Sequence, residues 1–307
     1  MITHLRSLAQ FSLEELSILI ERAIVLKHEK QQGILHNVLE GKSIALIFEK
    51  PSTRTRVSFE SAVYGLGGQA LFLAGRDTQL SRSEPLKDTA RVMSRYVDGM
   101  VVRTHGQEVI EELADYATVP VINALTDLHH PCQILSDLMT VLEKKGQLDK
   151  LKVAWIGDGN NMANSWLEAA AILGFELVLA CPEGYHPNEK ILKWAMERND
   201  KILLQHSPEV AAENADVFNA DVFSSMGDEG QEEERLKAFA GYQLNQALLE
   251  KGQPDAIVMH CLPAHRGEEI TEEVLEGPQS VVFDEAENKM HMHKALLEAL
   301  VGGHTAS

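Results

Sequence analysis

Basic residues are scarce in this sequence. Its 307 residues include 28 Lys and Arg against 46 Asp and Glu, so the formal net charge at pH 7 is −18. Proteins that bind nucleic acids or anionic membranes present basic faces, so this charge argues against both kinds of partner. The composition fits a soluble enzyme whose functional cations are gathered locally at a site.

Long apolar runs and paired cysteines are also missing. No apolar stretch approaches the roughly 20 residues of a membrane span, and residues 1–6 lack the apolar core of a signal peptide. Cys132, Cys181 and Cys261 form no Cys-x-x-Cys pair and no disulfide framework, which agrees with a reducing compartment. The histidines have no strong zinc spacing. We therefore expect a cytoplasmic protein.

Short β-rich runs alternate with helical segments along the chain. The predicted strands are 43–48, 69–73, 99–103 and 119–122, then 152–156, 176–180, 201–205, 216–219, 256–259 and 281–283; the main predicted helices are 13–27, 54–66, 86–97, 107–117, 131–145 and about 286–301. Such alternation predicts right-handed crossovers and parallel sheets. The expected fold class is α/β, with two doubly wound parallel-sheet domains and ligands in an interdomain cleft. These domains are residues 1–146, on which a C-terminal helix of about 286–307 packs, and residues 147–285.

The turn after the first strand has the chemistry of a phosphate site. It reads Pro-Ser-Thr-Arg-Thr-Arg at 51–56 and leads into a helix. Ser52 is a good N-cap, so free helix amides, two hydroxyls and two guanidiniums would converge on a small volume suited to a dianion. The alternative is a capped surface helix with solvated arginines. The position at the carboxyl end of a strand favours the phosphate site.

The pentapeptide Ser-Thr-Arg-Thr-Arg at 52–56 resembles the carbamoyl-phosphate loop of the aspartate/ornithine carbamoyltransferase family. The resemblance implies that Ser52, Thr53, Arg54 and Thr55 bind carbamoyl phosphate. The pentapeptide alone does not separate the aspartate and ornithine branches of the family.

Two further segments fit the same site. Arg103 ends a predicted strand on the rim that carries Ser52. His130-Pro-Cys-Gln133 opens the helix 131–145, and it supplies a neutral donor and an amide suited to polarising a carbonyl and holding an NH₂ group. This tetrapeptide resembles the second carbamoyl-phosphate motif of the family, which implies that His130, Pro131, Cys132 and Gln133 bind the donor. The side chain of Cys132 is expected to pack.

The loop after strand 152–156 carries amides rather than a dinucleotide fingerprint. It reads Gly-Asp-Gly-Asn-Asn-Met at 157–162, and Met162 stands where the fingerprint requires Gly. Asn160 and Asn161 could take a substrate carboxylate or α-amine, although a capped turn is a close alternative. The segment from Trp155 to Asn161 resembles the ornithine-binding strand of the family's ornithine branch, which implies that Asn161 binds ornithine.

The segment Asp-Val-Phe-Ser-Ser-Met-Gly at 221–227 discriminates best between acceptors. An acid, a hydroxyl and a glycine turn can bind the ammonium and carboxylate of an amino acid together. The segment resembles the mobile loop of the ornithine branch, which implies that Asp221, Ser225 and Met226 bind ornithine.

The tetrapeptide His-Cys-Leu-Pro at 260–263 follows the strand 256–259. A buried Cys after a strand is more often structural than reactive, but beside Asp221 it could orient the side-chain amine of ornithine. The tetrapeptide resembles the Cys motif of the family. That likeness implies that Cys261 contacts the amine and that the Leu262 carbonyl meets the carbamoyl group.

Two single residues complete the resemblance. Gln79 matches a loop that reaches the site of a neighbouring subunit in this family, which implies a homotrimer. Lys289 follows Glu-Ala-Glu-Asn at 285–288, where the family usually carries Arg. A point charge replaces a planar fork there, so the contact of Lys289 with carbamoyl phosphate could be weaker or bridged by water.

Together these likenesses imply transfer of the carbamoyl group of carbamoyl phosphate to L-ornithine, with Arg103, His130, Asp221 and Cys261 as catalytic residues. They imply no metal and no organic cofactor. Three alternatives are an aspartate acceptor, a non-catalytic protein that binds phosphate metabolites, and a nicotinamide-dependent oxidoreductase. The sequence leaves open whether the reaction serves arginine synthesis or citrulline breakdown.

Overall fold

The computed structural model describes residues 2–75, 84–224, 230 and 232–303. The chain folds into two compact units, of which unit 1 comprises Met1–Met139 and Ala286–Ser307, and unit 2 comprises Thr140–Glu285. Both boundaries fall inside helices, Pro131–Lys145 and Val282–Leu300. The sequence predicts a junction after residue 146, whereas this division lies earlier, within the helix.

Unit 1 is built around a four-stranded parallel sheet. Its elements are a 3₁₀ turn Leu8–Gln10, α1 (Leu13–Gln31), β1 (Ser43–Phe48), α2 (Thr53–Tyr64), β2 (Gln69–Ala74), α3 (Leu86–Met93), β3 (Gly99–Arg103), α4 (Gln107–Tyr116), β4 (Val121–Leu125) and the start of α5 (Pro131–Lys145). The strand order is β2-β1-β3-β4. Every residue of β3 and β4 is buried, as expected for parallel strands that helices cover on both faces.

Unit 2 contains a second parallel sheet, of five strands. Its elements are β5 (Lys152–Ile156), α6 (Asn161–Leu173), β6 (Glu176–Ala180), α7 (Glu189–Met196), β7 (Ile202–Gln205), α8 (Pro208–Ala212), β8 (Val217–Ala220), α9 (Glu232–Ala238), α10 (Gln246–Leu249), β9 (Ile257–His260) and α11 (Glu272–Leu275). The strand order is β7-β6-β5-β8-β9. The two parallel sheets confirm the predicted α/β class.

One predicted strand is wrong. Residues 281–283 were expected to extend the second sheet, but α12 (Val282–Leu300) begins there. An isolated parallel bridge between Val258 and Ser280 is the pairing found at this point. Three consecutive apolar residues fit the first turn of a buried helix as well as a short strand, so the pattern did not decide.

A glycine-rich turn follows β5. The φ of Gly157 is +135°, a conformation that residues with a side chain rarely adopt. A Cβ on Gly159 would lie 2.1 Å from the backbone nitrogen of Pro187, and the Gly159 N–H donates to the Tyr185 carbonyl at 2.9 Å. The loop after β6 therefore lies directly against this turn.

None of the helices formed by the described residues combines the length and apolar character required to cross a bilayer.

Candidate active site

Strand order in unit 1 brings the first group of predicted residues together. The chain leaves β1 toward β2 on one side and returns to β3 on the other, so β1 and β3 are neighbours at a topological switch point. Phe48, the last residue of β1, is in register with Arg103, the last residue of β3. The Glu49 N–H donates to the Arg103 carbonyl at 2.9 Å. Parallel α/β sheets place their ligands at such points.

The N-cap predicted for the turn at 51–56 is present. Ser52 caps α2, and its hydroxyl accepts from the Thr55 N–H at 3.3 Å. Thr55 is buried, whereas Thr53 is exposed and Arg54 is half-buried. The geometry holds the first turn of a helix beside Arg103.

Arg56 does not join this cluster. Its Nε is 2.9 Å from the Glu60 carboxylate, and its guanidinium stacks over the Phe72 ring, 3.5 Å from the centroid. The expectation that both arginines of the turn converge on one ligand is therefore wrong. The i,i+4 pair with Glu60 and the aromatic face account for the position of Arg56.

A further contact ties this turn to the loop before α5. The buried Lys50 ammonium pairs with the Asp127 carboxylate, and the Nδ1 of exposed His105 is 3.4 Å from the same carboxylate. The sequence patterns did not reveal Lys50 because its partner is 77 residues away along the chain.

His130 lies immediately before α5 and is buried. Burial lowers its pKa well below 6.5, and the positive charges of Lys289 and Arg103 lower that pKa further. The imidazole is therefore neutral at physiological pH. A neutral imidazole still carries one N–H that can polarise a carbonyl.

Gln133 and Cys132 lie in the first turn of α5. Lys289 donates to the Gln133 side-chain oxygen at 2.7 Å, and the Gln133 side-chain nitrogen donates to Asp137 at 2.8 Å. The Cys132 thiol donates to the Asn123 carbonyl at 3.2 Å, and burial raises its pKa to about 12. Cys132 thus packs, as predicted, while Pro131 forms the first residue of the helix.

Unit 2 has a switch point of its own. β5 and β8 are neighbours, with Ile156 in register with Ala220, and β9 pairs on the far side of β8, with Ala220 in register with His260. The residues that follow these strand ends meet. The Asn160 side-chain nitrogen donates to Asp221 at 2.8 Å, and the Cys261 thiol donates to Asp221 at 3.3 Å.

Asn160 has a structural role that the sequence did not reveal. Its side-chain oxygen accepts from the N–H groups of Met162 and Ala163, at 2.9 and 3.3 Å, so it caps α6. The Asn160 side-chain amide was expected to be able to bind substrate, but its oxygen is engaged in capping α6. Asn161 is the first residue of α6.

Asp158 also has an unexpected partner. Its carboxylate pairs with Arg235, whose guanidinium also donates to the Phe223 carbonyl and lies 4.9 Å from the Tyr185 ring centroid. Asp158 therefore connects the turn after β5 to Arg235 of α9.

The His-Cys-Leu-Pro segment is held by two buried carboxylates. His260 Nδ1 accepts from the Leu262 N–H at 2.9 Å, so the ring proton lies on Nε2, which is 3.0 Å from Glu269. The backbone N–H of His260 donates to the Glu285 carboxylate at 2.9 Å. Leu262 has φ +57°, a left-handed conformation that a leucine adopts only when its surroundings enforce it. The sequence patterns predicted no contact of Glu269 or Glu285 with this segment.

Asp221, His260 and Cys261 bring potential metal ligands within 4.8 Å of one another. Both ring nitrogens of His260 are engaged, however, by Leu262 and Glu269. Cys261 and Asp221 are also hydrogen-bonded to each other, so protein groups engage all three potential ligands. Gln79, Ser225 and Met226 lie outside the described residues.

The two halves of the chain match the two domain models of one family. Residues 3–143 match the aspartate/ornithine carbamoyltransferase carbamoyl-P binding domain, and residues 149–300 match the Asp/Orn binding domain of the same family.

Relatives match over nearly the whole length. The ornithine carbamoyltransferase of Desulfotalea psychrophila is 70% identical over 300 residues, which cover 97% of this chain and 99% of the relative. That of Geobacter sulfurreducens is 56% identical, covering 98% of this chain and all of the relative. The structure of the Pyrococcus furiosus ornithine carbamoyltransferase has a TM-score of 0.95, 49% identity and 98% coverage of both chains. The structure of the Campylobacter jejuni anabolic ornithine carbamoyltransferase has a TM-score of 0.92, 44% identity and coverage of 97% and 99%.

Two parallel α/β sheets, each with polar groups gathered at a switch point, define a two-domain enzyme scaffold. The chain belongs to the aspartate/ornithine carbamoyltransferase family. This confirms the resemblance drawn from the motifs.

Buried histidines predict that the protein loses stability in mild acid. Burial lowers the pKa of His129 and His291 to about 4 and those of His130 and His293 well below 6.5. Below a pH of about 6.5 the unfolded chain binds protons that the folded chain does not. The free energy of unfolding should therefore fall as the pH drops toward about 4, by up to about 1.4 kcal/mol per pH unit for each histidine.

Urea unfolding at a series of pH values measures this slope. His129→Gln should reduce it, and a substitution at exposed His28 is the matched control. The same slope in His129→Gln and in the unmodified protein would contradict the prediction.

Proposed function

We propose that this chain transfers the carbamoyl group of carbamoyl phosphate to the side-chain amine of L-ornithine, giving L-citrulline and phosphate. The main supporting observation is the register that sets the Ser52 turn beside Arg103 at the switch point of unit 1. The relatives described above are named ornithine carbamoyltransferases, which agrees with this activity.

The donor is proposed to bind to unit 1. The α2 amides at Thr53 and Arg54 hold the phosphate together with the Ser52 hydroxyl and the Arg54 guanidinium. The other residues proposed to bind the donor are Arg103, His130, Pro131, Gln133 and Lys289 of unit 1, Cys132 through its backbone, Cys261 and Leu262 of unit 2, and Gln79 of a neighbouring copy.

Developing negative charge on the carbamoyl oxygen is met by Thr55, Arg103 and His130. Arg103 and Thr55 are buried, so their interactions with this charge are strengthened by the low local dielectric. The depressed pKa of His130 makes it a neutral donor that stabilises this charge without first losing a proton to the substrate.

The acceptor is proposed to bind to unit 2. Asn161, Ser225 and Met226 hold the amino-acid end of ornithine. Asp221 and Cys261, which are hydrogen-bonded to each other, hold its side-chain amine. Because the Cys261 thiol donates to the carboxylate, its proposed role is binding rather than nucleophilic attack.

The reaction balances without an added reagent. The neutral amine nitrogen attacks the carbamoyl carbon, the bond from that carbon to the phosphate oxygen breaks, and phosphate leaves with the electron pair. The surplus proton of the amine passes to the departing phosphate. The interdomain cleft inferred from the sequence stays a prediction.

The nicotinamide alternative conflicts with the turn after β5. The backbone of His186 and Pro187 occupies the space next to Gly159, and the Asn160 side chain engages the amides at the start of α6. A dinucleotide site requires that the pyrophosphate lie close to the glycine turn and bind the free amides at the start of the helix.

We also propose a cytoplasmic homotrimer in which Gln79 completes the site of a neighbouring copy. β2 is the edge strand of the first sheet and leads into the segment that carries Gln79. Leu71 on β2 and Val57 on α2 are exposed, at 37% and 52%, and contacts with neighbouring copies would cover these apolar side chains.

Subunit complementation tests the shared site. Mixed trimers of Arg54→Ala and Gln79→Ala chains should regain activity, because some sites then combine an intact Arg54 with an intact Gln79. Mixtures of Arg54→Ala with Arg103→Ala are the control and should not regain it. A native mass other than three times 34.0 kDa, or no recovery in the first mixture, would refute the proposal.

The activity itself is tested by citrulline formation from carbamoyl phosphate and ornithine, with aspartate as the competing acceptor. Arg54→Ala should lower kcat/KM by roughly a hundredfold or more, because it removes a charged donor to the leaving phosphate. Arg56→Ala is the matched control, since Glu60 and Phe72 hold that guanidinium, and it should retain most of the activity. Carbamoylation of aspartate instead of ornithine would overturn the assignment.

The pH dependence of the rate reports on the acceptor amine. A side-chain amine with a pKa of about 10.4 is mostly protonated near neutrality, and only the neutral form attacks. The kcat/KM for ornithine should therefore rise about tenfold per pH unit through neutrality. A profile that stays flat from acid to alkaline pH would contradict this step.

A further inference from the structure

A buried chain of hydrogen bonds runs through the side-chain amide of Gln133. The Lys289 ammonium donates to the amide oxygen at 2.7 Å, and the amide nitrogen donates to Asp137 at 2.8 Å. Lys289, Gln133 and Asp137 are only 5%, 2% and 0% exposed. All three belong to unit 1, with Lys289 on α12 and the other two on successive turns of α5.

These partners allow one orientation of the amide. An ammonium can only donate a hydrogen bond, and a carboxylate oxygen accepts one. A flipped amide would set its NH₂ group against Lys289 and its oxygen against Asp137, and both contacts would be repulsive. Since both contacts are buried, the wrong orientation would be strongly disfavoured.

The same ammonium lies close enough to His130 to influence it. Lys289 and Arg103 are the largest charge effects on the His130 pKa, and His130 stands one turn before Gln133 on the chain. The end of Lys289 thus lies among the residues proposed to contact the carbamoyl group, and it donates to the Gln133 amide.

We propose that Lys289 and Asp137 are positioning residues that fix the Gln133 amide, and that Lys289 acts on the carbamoyl end of the donor through Gln133 instead of contacting the phosphate. The inference rests on the proposed carbamoyl transfer. It assigns Asp137 a role in that reaction, and it gives Lys289 an indirect role in place of a direct phosphate contact.

Inorganic phosphate separates an indirect role from a direct one. Lys289→Met should raise the KM for carbamoyl phosphate roughly tenfold, because the amide loses a charged hydrogen bond. The inhibition constant of inorganic phosphate should stay within about twofold of its original value. A parallel rise of both constants would mean that Lys289 contacts the phosphate, and would overturn the proposal.

A double-mutant cycle gives an independent test. If Lys289 acts through Gln133, then Lys289→Met should cause almost no further rise in KM once Gln133→Met is present. Independent, additive effects of the two substitutions would contradict the proposal. Lys289→Arg keeps a charged donor and should recover most of the loss seen in Lys289→Met.

Lys27→Met is the matched control for removal of a buried ammonium. Lys27 is also buried and donates to Asn288, the neighbour of Lys289, at 2.8 Å. This variant should keep the original KM for carbamoyl phosphate. An equal rise in KM for Lys27→Met would show that the effect is a general loss of packing on α12, and the proposal would fail.

Two further measurements keep the outcome decisive. If Lys289→Met does not fold, Gln133→Met replaces it in the test, because it removes the link between Lys289 and the donor. The KM for carbamoyl phosphate should then rise while the inhibition constant of phosphate stays unchanged. Any other pattern contradicts the inference. Absence of citrulline formation by the unmodified protein would refute the proposed function itself. In that case, phosphate binding measured by thermal stabilisation still compares Lys289→Met with the unmodified chain, and reduced binding would again refute the inference.

Discussion

The register of neighbouring parallel strands is the constraint on which both groups of site residues depend. In unit 1 it aligns Phe48 with Arg103, which sets the Ser52 turn beside a buried guanidinium. In unit 2 it aligns Ile156 with Ala220 and Ala220 with His260, so the next residues of three loops meet around Asp221. Because side chains alternate between the faces of a sheet, a slip of one residue would reverse the direction of each strand-end side chain. The hydrophobic pattern that fixes the sheets therefore also fixes the chemistry.

Unit 1 buries positive charges although the chain as a whole is acidic. The sequence carries a net charge of −18, yet Arg103 and Lys289 are both buried and act on the same histidine. Burial of cations is costly unless anions or hydrogen bonds compensate it. Concentrating these cations around His130 suits a small phosphorylated ligand. The acidic remainder of the chain does not favour large polyanions that would compete for those cations.

Sequence patterns were most informative where burial dictates composition. The strands at 43–48, 99–103, 152–156 and 176–180 match the structure because parallel strands with both faces covered read as continuous apolar runs. The run at 281–283 misled because the first turn of α12 is equally apolar. Motif residues were found by type and position, but their partners were not: Asp158 pairs with Arg235, 77 residues further along the chain. The contact of Arg56 with Phe72 was not predicted either, because Phe72 belongs to another element.

Asn160 joins two tasks in one side chain. Its oxygen caps α6 while its nitrogen holds Asp221. Attempts to redesign the acceptor preference by changing the loop around Asp221 will thus also tend to unwind the first turn of a helix whose residues are almost all buried. Selection for a new amine would have to supply a replacement cap at the same time, so evolutionary routes to other acceptors should favour changes elsewhere in the pocket.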